Sequence, residues 1–193
     1  MIHFDCVPEP PDFDREVRQK GEAWLAKNPD KKKRPKDLWS PFRKNLADGF
    51  QNLCGYSAMF LPNGTVDHYI SCDQDRTKAY DWNNYRFAAA WINSSKNKLD
   101  DRVFDPFEVQ DDWFEVELRT FRLIPRFSKI PENEWERAKL TLQKLHLDND
   151  ERVVKQRREW YRMYDSGELS LEGLEKKAPL IARAIRKRLI ELA

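Results

Sequence analysis

Apolar residues that recur every three or four positions predict two helices near the start of the chain. The first is expected over residues 13 to 27, where this spacing is carried by Val17, Gly21, Trp24 and Leu25. The second is expected to begin at Ser40, as its N-cap, and to end near Gly55, with an apolar face of Phe42, Leu46, Phe50 and Leu53.

The middle of the chain predicts a β-hairpin, a polar loop and a helix. Residues 58 to 70 contain apolar "AMFL", a "PNG" turn, and then "TVDHYI", which is rich in β-branched and aromatic residues. The later segment "NNYRFAAAWINSSKN" has the alanine content of a helix, and its apolar positions at helical spacing are Tyr85, Ala88, Ala89 and Ile92.

The last part of the chain predicts a strand and then helices. "WFEVELRTFRLIP" alternates, with Phe114, Val116 and Leu118 on one face, which is typical of a half-exposed strand. Three helices are expected after it. The first has Trp135, Ala138, Leu142 and Leu145 on its inward face, and the second has Val153, Trp160 and Tyr164 there and stops at Gly167. The third begins at Pro179, with Ile181, Ile185, Leu189 and Leu192 inward.

These elements predict an α+β protein in a single domain. The chain has 193 residues, of which 40% are apolar, with seven Trp and eleven Phe, so it can bury one core. We expect a helical extension over residues 1 to 53, a central unit over 54 to 100, and a strand with a helical extension over 101 to 193.

The charge of the chain is nearly balanced, at +2, so any attraction to nucleic acid must come from local clusters of basic residues. One cluster is a loop with Lys31, Lys32, Lys33, Arg34 and Lys36, and another is the outward face of the last helix, with Arg183, Arg186, Lys187 and Arg188. Each cluster is equally consistent with a solvated surface and with contacts to a DNA backbone.

The cysteine content favours a reducing compartment. Cys6, Cys54 and Cys72 are odd in number and too sparse for a disulfide scaffold, so a cytoplasmic protein is expected. The first residues lack the basic start and apolar run of a signal peptide, and no stretch has the length of a membrane span. We therefore expect a soluble, unprocessed protein without membrane contact.

Three short motifs follow one another in the predicted hairpin, loop and helix. Asp67 and His68 lie in "TVDHYIS", Asn84 in "DWNNY", and Asn93 and Lys96 in "NSSK". Taken singly, they are typical of a surface pair, a helix N-cap and a helix C-terminus. Together and in this order they resemble the HNH nuclease family, whose ββα-metal fold carries an Asp-His pair, a central Asn and a final His or Asn on the helix.

The resemblance implies a role for each of these residues. Asp67 and Asn93 would hold one divalent ion, Mg²⁺ or Mn²⁺. His68 would be the general base, and Asn84 would brace the loop against that base. Lys96 would lie where a phosphate contact is useful.

These roles suit phosphodiester hydrolysis, which needs an activated water and neutralisation of charge at the phosphate. Carboxylate and amide oxygens suit Mg²⁺ or Mn²⁺, and a histidine of ordinary pKa can take a proton from water at neutral pH. Successive strand residues point to opposite faces, so Asp67 and His68 can serve one site only where the strand bends or ends. Asn93 and Lys96 are three positions apart and share a helix face.

More of the chain, over roughly residues 38 to 160, resembles the HNH endonucleases associated with retron and Septu-type antiphage systems. The segments that carry this resemblance are "CGYS", "VDHYIS", "YDWNNYRFA", "NSSK", "FDPF" and "LTLQKLHLDNDERVVKQRR". It implies an antiphage or mobile-element role and an ATPase partner. The proline that usually follows the histidine by a few residues in that family is missing in "HYISCDQD".

These relatives commonly hold a structural zinc with paired C-x-x-C motifs, and the sequence departs from that pattern. Only Cys54 remains, while Ser57, Ala89 and Ile92 occupy the other positions. One thiol cannot hold a structural zinc, which takes about four ligands. We expect no zinc site and an apolar contact in its place, with Ala89 and Ile92 packed inward.

The sequence therefore predicts a ββα-metal core with flanking helices and an extra strand, acting as a Mg²⁺- or Mn²⁺-dependent DNA endonuclease. One such site cuts one strand, so cleavage of both strands would need a homodimer or two visits. Two alternatives stay open: an HNH-fold subunit that binds nucleic acid or regulates with little cleavage, and a nuclease toxin directed at RNA.

Overall fold

Helices and two small antiparallel sheets make up an α+β fold in the computed structural model, which describes residues 1–30 and 33–191. The helices in this part of the chain are α1 (Gln19–Lys27), α2 (Arg43–Gly49), α3 (Ala90–Lys96), α4 (Trp135–Lys144), α5 (Glu151–Asp165), α6 (Leu171–Lys177) and α7 (Pro179–Glu191). The strands are β1 (Thr65–His68), β2 (Tyr85–Ala88), β3 (Phe114–Glu117) and β4 (Arg122–Pro125).

The predicted first helix is confirmed, with one irregularity at its start. A π-helical turn, Asp14–Arg18, runs directly into α1, so the helix ends at Lys27 as expected. Gly21 is buried in α1 because the ring of Tyr80 lies against it, and a Cβ there would be 2.3 Å from that ring. The glycine thus allows α1 to approach the loop that follows β1.

The second helix is shorter than predicted. A 3₁₀ turn, Ser40–Phe42, precedes α2, and the Ser40 hydroxyl donates to Asp37 instead of capping the helix. The helix ends at Gly49 because Gln51 and Asn52 adopt the left-handed conformation, with φ of 54° and 56°. The predicted end near Gly55 is therefore wrong.

The predicted hairpin within residues 58 to 70 is wrong. Strand β1 pairs antiparallel with β2, so that Thr65 faces Ala88 and His68 faces Tyr85. The N–H of Phe60 instead donates to the carbonyl of Lys177 at 2.7 Å, and only an isolated bridge joins Phe60 to Leu53. The segment before the "PNG" turn is thus held by residues 52–54 and by the end of α6, and not by β1.

The helix predicted over the "YRFA" segment is also wrong at its start. Residues 85–88 form β2, and α3 begins only at Ala90. All four residues of β2 are buried, Arg86 included, and together with the alanines that follow them they match the apolar spacing of a helix. The order along the chain is consequently strand, long loop, strand, helix.

The alternating segment near residue 114 is a hairpin, β3 with β4. Phe114 and Val116 are buried on one face, as predicted. Leu118 falls beyond β3, and the sequence analysis did not separate β4 as a second strand. The positive φ of 59° at Phe121 is in the turn between the two strands.

The helices of the last part form two groups: α4 packs against β4, whereas α5, α6 and α7 pack against one another. The predicted α4, α5 and α7 are present, and α6 was not predicted. Val153 of α5 and Ile181 and Ile185 of α7 join a second apolar cluster with Met59, beside the main core. Leu189 is 51% exposed, contrary to the prediction, and Leu192 lies outside the described residues.

A buried ion pair ties β2 to the "FDPF" segment. Arg86 donates from Nε and Nη2 to the two carboxylate oxygens of Asp105, and its guanidinium lies 3.7 Å above the ring of Phe107. Arg86 is the partner of Asp67 in the β1–β2 register, so this pair supports the sheet directly beside the motif. No helix in the described part of the chain is long and apolar enough to cross a membrane.

Candidate functional site

Three of the five residues singled out in the sequence meet at one open cavity of about 670 Å³. Asp67 and His68 reach it from the end of β1, and Asn93 reaches it from α3. The cavity lies where β1 stops, which agrees with the requirement that adjacent strand residues share a site only at a bend or an end. The other two, Asn84 and Lys96, are buried and do not line this cavity.

The His68 ring is held in one tautomer. Its Nε2 lies 2.9 Å from the carbonyl oxygen of Ala79, which can only accept, so Nε2 carries the proton. Nδ1 is then unprotonated, and it makes no hydrogen bond within residues 1–30 and 33–191. A histidine in this state has a free lone pair ready to accept a proton.

Aromatic rings fix the orientation of this imidazole. Trp39 and Tyr85 contact it edge to face, with ring centroids 4.6 and 5.0 Å away. The Tyr85 hydroxyl also donates to the Ala79 carbonyl, so ring and carbonyl are held together. Burial lowers the pKa of His68; the hydrogen bond to Ala79 and the charge of Asp67 act against this shift, and the charges of Lys96 and Arg34 add to it. The imidazole is therefore neutral at pH 7.

Asn84 joins the end of β1 to the loop that carries Ala79. Its Oδ1 accepts from the N–H of Ile70 at 2.7 Å, and its Nδ2 donates to the carbonyls of Ile70 and Lys78 at 2.9 and 3.1 Å. Asn84 is buried and does not line the cavity. Its contacts are those of a brace that sets the position of Ala79 against His68.

Replacing Asn84 with alanine is expected to destabilise the fold by about 1–3 kcal/mol, because the buried Ile70 N–H and its carbonyl lose their partner. The change should show as a lower urea midpoint with an unchanged slope. Asn83→Ala is the matched control, because the adjacent Asn83 side chain is exposed, and a change of at most about 0.5 kcal/mol is expected there. If both variants were equally stable, the bracing role assigned to Asn84 would be contradicted.

Asp67 is a buried carboxylate with partners on both oxygens. The Tyr56 hydroxyl donates to its Oδ2 at 2.6 Å, and the Lys96 ammonium lies 3.4 Å from its Oδ1. Burial, followed by the nearby charge of Asp67, raises the pKa of Tyr56 well above its ordinary value, so the phenol keeps its proton. Each carboxylate oxygen has two lone pairs, so both retain capacity for a further ligand at the cavity.

Lys96 does not lie where a phosphate contact was expected. Its side chain is fully buried, and its ammonium donates to the carbonyls of His68 and Tyr69 at 3.0 and 2.8 Å besides facing Asp67. It is absent from the residues that line the cavity in the described part of the chain. Lys96 therefore holds the end of β1 in place and does not present its charge to a substrate.

Asn93 has one end of its amide engaged and one end free. Nδ2 donates to the Thr65 hydroxyl and the Val66 carbonyl at 3.1 and 3.2 Å, which pins α3 to β1. Its Oδ1 makes no hydrogen bond with any described residue. Because Asn93 lines two adjoining cavities, this oxygen is the free acceptor that α3 contributes to the site.

The protein ligands available to a metal are few. Residues 1–30 and 33–191 contain no group of three or more His, Cys, Asp or Glu side chains placed to hold an ion. A site at this cavity would consist of one carboxylate oxygen of Asp67 and Oδ1 of Asn93, completed by water and by ligand oxygens. Mg²⁺ is commonly held in this way, by one or two carboxylates with waters and phosphates.

The positions expected to replace a zinc knuckle are packed together. Cys54, Ser57 and Ile92 are buried, and Ala89 is 9% exposed. The Sγ of Cys54 accepts the N–H of Ala89 at 3.5 Å, so the thiol caps the start of α3. The predicted inward packing of Ala89 and Ile92 is confirmed.

The sequence analysis missed two residues at the site, Tyr56 and Trp39, and named a third, Arg34, only as part of the basic loop. Tyr56 holds Asp67, Trp39 packs against His68, and Arg34 reaches the rim of the cavity from a loop before α2. None of them belongs to the motif, and only the basic loop gave a signal, as a cluster of lysine and arginine. Lys31 and Lys32 of that loop lie outside the described residues.

Comparison with known proteins adds no assignment to this geometry. The sequence matches no known protein family and no curated protein.

Proposed function

We propose that this protein is a Mg²⁺- or Mn²⁺-dependent endonuclease of the HNH type that hydrolyses phosphodiester bonds of DNA. One observation carries the proposal: His68 lies at the cavity with its proton on Nε2, bound to Ala79, and with Nδ1 free. The strand, strand and helix order of β1, β2 and α3 around that histidine supports it.

The reaction follows from the free nitrogen of His68. A water molecule at the cavity gives a proton to Nδ1 while its oxygen bonds to phosphorus, the bond to the 3′-oxygen breaks, and the leaving 3′-oxygen takes a proton from solvent water. The products are a 5′-phosphate and a 3′-hydroxyl. The Nε2–H bond to Ala79 persists throughout, so the imidazolium that forms keeps its orientation and both of its N–H groups can donate.

A divalent ion fits the oxygens of Asp67 and Asn93, although Lys96 competes with it. When bound, the ion would neutralise charge that develops on the phosphate. Asp67 already faces an ammonium at 3.4 Å, so this carboxylate attracts a second cation less than an unpaired one does. We therefore expect weak binding of Mg²⁺ to the protein alone and tighter binding once substrate phosphate adds its negative charge.

One observation favours a second candidate function, a subunit that binds nucleic acid without cutting it. Lys96 already compensates the carboxylate that would hold the ion. In such a protein the Asp67–Lys96 pair would serve only to hold the end of β1. The free Nδ1 of His68 has no purpose in that case, and for this reason the nuclease is the stronger proposal.

The proposed function is tested by incubating supercoiled plasmid with the purified protein in Mg²⁺, Mn²⁺ or EDTA. Nicked or linear plasmid is expected with either metal and none in EDTA. The His68→Ala protein, purified in the same way, controls for a contaminating nuclease. A circular single-stranded RNA of similar length separates DNA from RNA as substrate.

The outcomes distinguish the candidates. Metal-dependent cutting of plasmid that is absent from the His68→Ala preparation supports the DNA endonuclease, and cutting confined to RNA supports the toxin. Binding of plasmid without cutting in any metal supports the subunit that only binds. An antiphage role, an ATPase partner and a homodimer are further proposals that rest on the sequence resemblance, and phage challenge of cells with and without the gene tests the first.

A further inference from the structure

Basic side chains line a path that extends well beyond His68. Three cavities adjoin one another across the face of β1: the first and second share Arg34, Trp39, Val66 and Asn93, and the second and third share Ser40 and Arg43. We call this path the basic groove, after the basic residues that line it, Lys98, Arg76, Arg34, Arg43 and Lys44.

Among the described residues, two of the three carboxylates that line the basic groove face a lysine. Asp67 faces Lys96, and Asp73 pairs with Lys98. Asp37, at the second cavity, accepts from the N–H and the hydroxyl of Ser40 and keeps its negative charge. Arg34, Arg43 and Arg76 outnumber this one carboxylate, so the basic groove keeps a net positive charge.

Two arginines of the basic groove have no partner of their own. Arg34 and Arg43 make no hydrogen bond and no ion pair with any described residue, whereas Lys44 pairs with Asp48. Arg34 borders both the first and the second cavity, and Arg43 borders the second and the third. The two unpaired positive charges thus follow one another along the basic groove, beginning at the cavity that His68 lines.

Arg76 adds a second sign of an anion site. Its guanidinium stacks on Trp24, 5.6 Å from the ring centroid, and donates to the carbonyl of Asp30. Its Nε and Nη2 are buried and make no hydrogen bond in the described part of the chain. Buried donors without partners are rare in proteins, and because Arg76 borders the first cavity, a movement of its side chain would bring these donors to an anion bound there.

The other basic cluster, on α7, has a different character. Arg183 pairs with Asp111, Arg186 with Glu175, and Lys187 with Glu115. Its charges are largely used within the protein, so α7 offers less to a polyanion than the basic groove does.

From these contacts we propose that Arg34 and Arg43 bind successive backbone phosphates of the substrate strand, with Arg34 on the phosphate next to the one that faces His68. The inference rests on the proposed function, which it extends to the substrate contacts. Arg34 takes the role expected of the buried Lys96. Every nucleotide has the same phosphate, so contacts to phosphates do not depend on the base sequence, and the basic groove binds DNA of any sequence.

The test is DNA binding in a protein that cannot cut. Fluorescence anisotropy is measured in Mg²⁺ with two short duplexes of unrelated sequence, at a series of salt concentrations, using His68→Ala as the parent. Adding Arg34→Ala and Arg43→Ala is expected to weaken binding about 10²-fold at about 0.1 M salt, equally for both duplexes, and to lower the salt slope by about two. Each single variant should give about half of that change in slope.

Arg119→Ala with Lys155→Ala is the matched control, because both residues are exposed, lie outside the basic groove and remove the same charge. This control should bind like the parent, and circular dichroism should show all variants folded. Equal binding by the groove variant and the control, or no binding by the parent, would overturn the inference. A failure of the proposed function gives a different result from a failure of this inference. In that case the wild-type protein leaves plasmid uncut, while the variant without Arg34 and Arg43 still binds DNA more weakly than its parent.

Discussion

Replacing His68 with alanine is expected to slow phosphodiester cleavage about 10²- to 10⁴-fold, the range for loss of a general base. The reason is geometric: Nδ1 of His68 is the free imidazole nitrogen at the cavity, since His3 and His146 do not line it. The Ala79 carbonyl keeps its bond from Tyr85, so the loop should hold its place in the variant. The measurement is the initial rate of nicking of supercoiled plasmid in Mg²⁺.

Two further variants separate the loss of the general base from other effects of a substitution. His146→Asn is the control, because His146 is exposed and has a φ of 54°, a conformation that asparagine tolerates, so full activity is expected. His68→Gln retains much of the volume between Trp39 and Tyr85 and should be as inactive as the alanine variant. A His68→Ala protein that is folded and cuts at the wild-type rate would refute the general-base role.

Replacing Lys96 with methionine is expected to lower the free energy of unfolding by about 3–5 kcal/mol. The change leaves the buried Asp67 carboxylate without its cation, and it leaves the carbonyls of His68 and Tyr69 without the ammonium that they accept from. Methionine has a similar length, so the loss reports charge and hydrogen bonds more than volume. Urea unfolding followed by circular dichroism measures it.

The matched control is Lys98→Met, two residues further along the chain. Lys98 pairs with Asp73 on the surface, and an exposed pair contributes at most about 1 kcal/mol. Adding Asp67→Asn to Lys96→Met should restore part of the lost stability, because no unpaired charge then remains and Tyr56 can still donate. A double variant that is less stable than Lys96→Met would contradict the pairing of these two residues.

The candidate site was partly accessible from the sequence. The motif order anticipated that Asp67, His68 and Asn93 approach one another, and the structure brings them to one cavity. Asn84 has the bracing contacts expected of it, while Tyr56, which donates to Asp67, and Trp39, which packs against His68, could not be found. Those two lie outside the motif, and nothing in a local pattern indicates which distant aromatic ring will meet a given side chain.

The fold class could also be predicted, whereas the pairing of strands could not. Helix α1, the helices α4, α5 and α7, and the alternation of Phe114 with Val116 follow from local periodicity and are confirmed. The hairpin within residues 58 to 70 was wrong because a turn sequence does not decide the partner of a strand. Strand β2 was missed because it is only four residues long and leads into the alanines at the start of α3, so that its apolar positions match helical spacing.

The sequence by itself determined the α+β composition, the places of helices α1, α4, α5 and α7 and the identity of the motif residues, because each of these depends on neighbours a few positions apart. The tertiary structure decided what those residues do. Lys96 is three positions after Asn93, yet it turns inward to Asp67 and the end of β1, since burial beside a carboxylate and two carbonyls satisfies its ammonium. Arg34, from a loop distant in the chain, occupies the rim instead. Which of these two cations lies at the cavity depends on long-range packing, which the local periodicity of the sequence does not encode.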